Sequence, residues 1–546
     1  MVLMSNFKSR KNELCEKLWN IRGHLKIELI SFFILCPPYF GMIAFSTFEL
    51  QKACHVNLNI DAETCDQLNN VRYKEICTSI ASHRNEKVFI DDFFIGNESE
   101  TALKLLKVLK EDEKIDVEID EFEKIQKVCD AERDSQKMIS KTYSIRAPIA
   151  TTLMLMIVIF AGAWSDKHNI RKIFIVLPFI GEIFGSTIYI MSAIFYDEIP
   201  IDVTIYASSI LSALCGGRSL YTVGIDSYLA ITTSESYRTF RIGFYSMFRT
   251  ALGIFASPLG GVFFEVLSYK QLFTVNLVTQ VIGLISVIFL LSDVKATDDS
   301  NSKDLDISLQ NTLPSKSEPE SLKKKKNFCI DFFDPSHIKD AFTVLKVPRP
   351  DNKRKILLFV IILNFTIWAT VGEDELYILY GRKALNWTTE FSMFVSYYTV
   401  IGILGTGIAI IIFSKALKMS DPMLAIISIV GSLAANPILA FAHSTMMAYI
   451  GVTVDFFYYV RFFIIKSMIS KLVEGNEMGR VFSLLGITEN VDSIIFTPIY
   501  GMLYYYTLEW LPGAFFLFSN LFLLIALLIL LYLRRLYDNV NKKNHS

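Results

Sequence analysis

Residues 511–533 read Leu-Pro-Gly-Ala-Phe-Phe-Leu-Phe-Ser-Asn-Leu-Phe-Leu-Leu-Ile-Ala-Leu-Leu-Ile-Leu-Leu-Tyr-Leu, with no charged side chain before Arg534-Arg535. A helix crosses the hydrocarbon core of a bilayer in about 20 residues. A run this long and this apolar is a membrane span ending in a basic anchor. Working back from it, eleven more apolar runs bounded by charge appear: Ile27–Leu50, Ser144–Ala163, Ile173–Phe195, Val203–Ala230, Ile242–Val266, Leu272–Leu291, Ile356–Tyr380, Phe391–Phe413, Pro422–Ala442, Thr445–Ile469 and Val481–Tyr506. The expected fold class is therefore an all-α membrane protein of twelve transmembrane helices in two six-helix halves.

Composition agrees. The 546 residues are 52% hydrophobic, with a mean hydropathy of +0.38. A net charge of -1 gives no basic field to attract a nucleic-acid polymer. The polar blocks divide the chain into an N-terminal tail 1–26, a first half 27–292 containing an outer loop 51–143, a linker 293–355, a second half 356–535 and a tail 536–546. Two halves of six spans are the layout of a two-part transporter, although no residue-level repeat relates them. Lys323–Lys326 would bring the basic end of a low-hydrophobicity linker near anionic lipid.

Lys and Arg set the orientation. They crowd the first 26 residues, the 2–3 loop (Lys167, Arg171, Lys172), the 4–5 loop (Arg238, Arg241), the 8–9 loop (Lys415, Lys418) and the tail, whereas the 3–4 loop is acidic. Both termini are thus expected in the cytoplasm, in a multi-pass protein of the plasma membrane rather than an endolysosomal one. Block 51–143 then lies outside, where Cys54, Cys65, Cys77 and Cys129 can form disulfides in any of three pairings. The sequons at Asn97 and Asn386 fall on the same side and are expected to be glycosylated, whereas that at Asn364 lies within a span. Glu100–Lys137 reads as a charged amphipathic helix of the outer loop.

A charge inside a span costs roughly 2.5–3.5 kcal/mol or more unless it is paired or wet. Span 4 carries Arg218 and Asp226, span 5 Arg249, span 7 Glu373-Asp374-Glu375, span 10 Asp455, Arg461 and Lys466, and span 11 Glu489 and Asp492 on one face. Tyr458 stands one turn before Arg461. A guanidinium's forked donors match the two oxygens of a carboxylate or phosphate, so Arg218, Arg249, Tyr458, Arg461 and Lys466 are the candidate substrate contacts. Asp226, Glu373, Asp374, Glu489 and Asp492 are candidates for gating or proton coupling. No nucleotide loop, metal cluster or catalytic triad can be assembled, so no enzyme activity and no cofactor are expected, and the expected partners are the bilayer, a small organic anion and protons.

The 2–3 loop Gly162-Ala-Trp-Ser-Asp166-Lys-His-Asn-Ile-Arg171-Lys172 resembles the signature of the major facilitator superfamily, as does Gly253-Ile-Phe-Ala-Ser257-Pro258-Leu-Gly260-Gly261 in span 5. Gly162 permits close helix contact, while Asp166 and Arg171 would latch one conformation. Closer still, Thr232-Thr-Ser-Glu-Ser-Tyr-Arg-Thr-Phe-Arg-Ile242 and Ser470-Lys-Leu-Val473 with Gly479-Arg-Val-Phe-Ser483 are similar to solute carrier family 46, which contains the proton-coupled folate transporter. The resemblance implies alternating-access transport of organic anions such as folates, muropeptides or cyclic dinucleotides. The folate branch carries over poorly: its acid at the end of span 4 falls on Ile231, its span 5 acid on Ser246, its span 7 histidine on Ala369 and its span 10 arginine on Lys466. Only the span 7 acid is kept, as Asp374, and an outer cysteine of that branch is Asn386 here. A receptor or scaffold using the cysteine-bearing outer loop is the competing reading.

Overall fold

The structure is a computed structural model and describes residues 25–70, 72–73, 76–77, 119–168, 172–232, 235–291, 345, 352–417, 419–473 and 478–545. Arg171, Asn97, residues 100–118 and nearly all of the linker lie outside the described residues. For Gly162 and Asp166 only the backbone, within a helix, is described.

The described residues form helices without strands, in chain order α1 (Leu25–Lys52), α2 (Ile119–His168), α3 (Lys172–Ile194), α4a (Ile201–Leu214) and α4b (Gly217–Thr232), α5 (Glu235–Val266), α6 (Tyr269–Leu290). The second half contains α7a (Lys353–Trp368), a 3-10 stretch (Ala369–Leu376), α7b (Tyr377–Leu385), α8 (Glu390–Ile408, continuing as a π-helix through Ala416), α9 (Asp421–Ala440), α10a (Thr445–Val454), α10b (Val460–Leu472), α11 (Met478–Thr507) and α12 (Ala514–His545). Twelve crossing units result, as the sequence predicts. Eight are long and apolar enough to span by composition alone. The other four, α4, α5, α10 and α11, carry Arg218, Arg249, Arg461 and Asp492. Large apolar side chains such as Phe289 (81% exposed), Leu528 (67%) and Ile411 (65%) point outward, as lipid requires and water would penalise.

Three expected helices are in fact interrupted. The fourth span breaks at Cys215-Gly216, where Gly216 (φ 80°) and Gly217 (φ 50°) take left-handed conformations that other L-residues adopt only at a cost of roughly 1–2 kcal/mol. The seventh passes through the 3-10 stretch, and the tenth unwinds at residues 455–459. Two boundaries also move: α2 begins 25 residues before Ser144 and absorbs the end of the predicted outer-loop helix, and α12 runs on through the predicted tail.

Outside the bilayer, the two disulfides pair as Cys54–Cys65 and Cys77–Cys129, which resolves the three alternatives. Cys54, Cys65, Leu68, Val128 and Ala131 form a small core. Asp61 caps the short helix Ala62–Asp66 by accepting from the Thr64 amide at 2.9 Å, and the contacts with Thr64 hold its carboxyl below its ordinary range. We refer to this cap-bearing side as the outer side.

The halves do not pack equally along their length. On the outer side one hydrophobic core joins Ala44, Phe48, Ile139 and Phe273 of the first half to Tyr380, Trp387, Tyr500 and Phe515 of the second. On the opposite side each half has its own core, one around Ile27, Ile175, Tyr221 and Val287, the other around Leu357, Ile429, Ile465 and Leu530. Polar contacts repeat the asymmetry: Ser140 Oγ donates to the Gly501 carbonyl (2.6 Å), Tyr504 to Gln136 Oε1 (2.9 Å) and Ser257 to the Ser392 carbonyl (3.0 Å). Close approach there needs small residues; a Cβ on Gly261 would stand 2.6 Å from Ser392 Oγ of the second half. The conformation is sealed on the outer side and parted on the other.

Arg382 of α7b is a buried pin in that seal. It is 3% exposed, lies 3.6 Å from Glu132 of α2 and donates to Asn69 Oδ1 and the Leu68 carbonyl in the cap. Arg382→Ala leaves the buried carboxylate uncompensated, a loss of about 3–5 kcal/mol. The expected result is a markedly lower melting temperature of the purified protein, with much of the loss recovered in Arg382→Ala/Glu132→Leu. Equal melting of wild type and Arg382→Ala would show that the pin contributes nothing.

Candidate functional site

A cavity of about 590 Å³ lies among α1–α4, α6 and the 3-10 stretch of α7. It is built by the irregular helices. The adjacent prolines Pro37 and Pro38 interrupt the hydrogen-bond ladder of α1 and line the wall. The break in the fourth span places Gly217, Arg218 and Ser219 there, at the N-terminus of the 16-residue α4b. The first backbone N–H groups of a helix have no intrahelical acceptor, and the helix dipole adds partial positive charge. Arg218, exposed to the cavity, adds a full positive charge at the same place. Together they make this part of the wall electropositive. The remaining wall is rich in hydroxyl and amide groups: Ser186 donates to Gln280 (2.8 Å), Ser212 donates to Glu182 (3.0 Å), and Ser46, Ser208 and Asn276 stand beside them.

At the outer end of the cavity stands a chain of charges. Arg146 of α2 pairs with Glu375 of the 3-10 stretch across the two halves. Its guanidinium carbon sits 4.8 Å from the Tyr143 ring centre. The Tyr143 hydroxyl donates to Glu49 of α1, and Tyr189 of α3 donates to the same carboxylate at 2.5 Å. Asp374 is exposed to the cavity beside Glu375. Glu373 points the other way, 5% exposed, accepting from Ser519 and from Tyr377 (3.1 Å).

Arg461, by contrast, is enclosed within the second half at 1% exposure. It donates to Ser432 Oγ (2.7 Å), which donates to Asp455 (2.5 Å), and it stacks 4.3 Å from the Tyr458 ring centre. A second cavity of about 270 Å³ is lined by Ser219, Trp368, Glu489 and Asn490. Asp492, one turn beyond Glu489, is 1% exposed, and both of its carboxylate oxygens are without a hydrogen-bond partner. Asp226, Arg249 and Lys466 are exposed away from the outer seal and lie within electrostatic reach of one another. Asn386 ends α7b in a left-handed conformation.

Of the candidates read from sequence, Arg218 and Asp374 therefore share the larger cavity. Arg461 and Tyr458 form a separate buried cluster, and Arg249 and Lys466 face the open side. Sequence reasoning missed Glu49, Tyr143, Arg146 and Glu182. Glu49 and Arg146 sit one or two residues inside the ends of their predicted spans, where a charge reads as interfacial. Glu182 lies in mid-span and was legible as a charge that must be paired or wet.

The two arginines are separable by stability. Arg461→Leu strands the buried Asp455 carboxylate, at a cost of about 3–5 kcal/mol, whereas exposed Arg218→Leu should change stability by about 0.5 kcal/mol or less. Melting curves of the two purified variants check this; an equal fall in both would remove Arg218 from the water-filled cavity.

Comparison with known proteins agrees with this architecture. The Major Facilitator Superfamily profile matches residues 140–465. A Drosophila melanogaster protein described as a probable peptidoglycan muropeptide transporter of solute carrier family 46 is 24% identical over 386 residues, covering 68% of this chain and 69% of its own. The Homo sapiens lysosomal proton-coupled steroid conjugate and bile acid symporter of the same family is 24% identical over 409 residues, covering 72% and 80%. Among solved structures, a POT family transporter in complex with 5-aminolevulinic acid superposes with a TM-score of 0.53 at 11% identity, covering 95% of this chain and 96% of that one. The chain belongs to the Major Facilitator Superfamily of membrane transporters, with its sequence relatives in solute carrier family 46.

Proposed function

We propose that this transporter carries a small organic anion with a polar, hydrogen-bonding body, of the muropeptide kind, by alternating access. The observation that carries the proposal is the electropositive patch at the α4 break, Arg218 with the N-terminus of α4b, set in a wall of hydroxyls and amides. A carboxylate would meet the guanidinium at the positive end of the α4b dipole, while Ser186, Ser208, Asn276 and Gln280 would read amide and hydroxyl groups of the body. A steroid nucleus would offer these groups nothing to hydrogen-bond beyond the partners that Ser186, Ser208 and Gln280 already have.

Protons are the proposed driving ion, and Asp374 the proposed carrier. It faces the cavity, and it lies within electrostatic reach of Arg461 in the second half, so its charge is felt by both substrate site and bundle. An acidic lumen on the outer side would supply the gradient. The vertebrate relatives described as lysosomal favour that compartment over the plasma membrane expected from sequence. In this reading the disulfide-bonded cap lies in the lumen, both termini lie in the cytoplasm, and Asn97 and Asn386 carry glycans.

Uptake of a labelled panel (a muropeptide, a cyclic dinucleotide, folate and a steroid sulfate) at acidic and neutral outer pH tests this. Acid-stimulated uptake of the muropeptide is expected, reduced about tenfold or more by Arg218→Gln and made independent of pH by Asp374→Asn. Uptake of the steroid sulfate alone, or uptake unaffected by Arg218→Gln, would contradict it.

A further inference from the structure

Two buried atoms at the outer end of the cavity lack partners. Arg146 donates through Nη2 to Glu375 Oε1, yet its Nε has no acceptor, and Glu375 Oε2 has no donor. A bidentate guanidinium–carboxylate fork would satisfy both; this bridge is made with one prong only. A second carboxylate lies within electrostatic reach of Arg146. Glu49 is 3% exposed, is held by the hydroxyls of Tyr143 and Tyr189, and lies within electrostatic reach of Arg146 and Glu375. Tyr143 touches both, with its ring against the guanidinium and its hydroxyl on Glu49. The two carboxylates differ in one decisive way: Glu49 is in the same half as Arg146, whereas Glu375 is across the seal.

From this geometry we infer that Arg146 is a switch arginine with two acceptors, Glu375 when the outer side is closed and Glu49 when it is open, so that Glu49 is a positioning residue for the transport step. Separation of the halves on the outer side would strip Arg146 of Glu375. Left alone it would keep only the solvent of the cavity as a partner, its side chain being 23% exposed. Glu49 restores a charged partner, because the guanidinium slides along the Tyr143 face and remains paired. The two hydroxyls keep Glu49 solvated while it waits, which makes the exchange close to balanced, as a cycling gate requires. The inference rests on the alternating-access reading and is independent of the substrate and of the driving ion.

Double electron–electron resonance between spin labels at Lys270→Cys and His443→Cys, exposed positions on the outer side of the first and second halves, reads the opening. Cys15, Cys36, Cys215 and Cys329 are replaced by Ser so that only the labels react. Glu375→Gln breaks the closed-state bridge and is expected to raise the ratio of long to short distances on the order of tenfold. Adding Glu49→Gln should return the ratio most of the way to wild type, because the open state then loses its own pairing. Arg146→Gln, which removes both pairings without touching Glu49 and its tyrosines, should also stay near wild type. If Glu375→Gln, Arg146→Gln and the double variant open equally, the bridge is a simple latch and the role given to Glu49 is wrong. If Glu375→Gln opens nothing, the switch is wrong altogether. A wild type that shows a single distance with and without a proton gradient would instead count against alternating access.

Discussion

A charge in hydrocarbon must be paired or must face water, and nearly every functional feature of this transporter follows from how its intramembrane charges meet that condition. Arg382, just beyond the end of the seventh span, is buried under the same rule: it is paired with Glu132 and pins the disulfide-bonded cap onto α7b. Arg461 is tied through Ser432 to Asp455 inside the second half. Arg218 and Asp374 satisfy the condition the other way, by standing in a water-accessible cavity. The first two are parts of the scaffold; the last two line the cavity. Arg146 belongs to neither class, since its bridge to Glu375 crosses the division between the halves and must be given up whenever the outer side opens.

The backbone breaks place these charges where they are. Regular helix would bury every N–H and C=O in its own ladder and leave nothing to offer a ligand. Here the first, fourth, seventh and tenth units are each disturbed: by Pro37-Pro38, by Gly216-Gly217, by the 3-10 stretch at 369–376 and by the turn at 455–459. Broken helices around a central site are a recurring solution for carriers, because irregular backbone is tolerated only where it lines a cavity or packs within protein.

Most of the bundle was legible in the sequence. Twelve apolar runs gave twelve crossing units, because lipid allows little else. The breaks were not legible: Gly216-Gly217 sits in a run apolar enough to read as one helix, and its left-handed turn is decided by packing that a hydropathy window does not register. The disulfide pairing was open until Cys129 at the start of α2 was seen opposite Cys77. Of the cavity lining, Arg218 and Asp374 were singled out by the rule that intramembrane charge must be paired or wet, and the same rule picked out Arg461, which the structure encloses in a buried cluster. Glu49 and Arg146 escaped because each sits near the end of its span, where sequence alone cannot separate a residue at the interface from one that caps a cavity.

The outer seal also explains why the two ends of the molecule look different. One shared core around Phe48, Tyr380, Trp387 and Phe515 joins the halves on the cap side, and separate cores on the other side let them part there. A carrier alternates between this arrangement and its opposite, with the solute held between, and that is the central claim. Counterflow in proteoliposomes tests it most directly. With the purified protein reconstituted and no ion gradient, vesicles preloaded with unlabelled muropeptide should accumulate the labelled compound transiently above its outside concentration. Binding of the labelled compound to the protein without any such overshoot would contradict the account and mark the chain as a receptor.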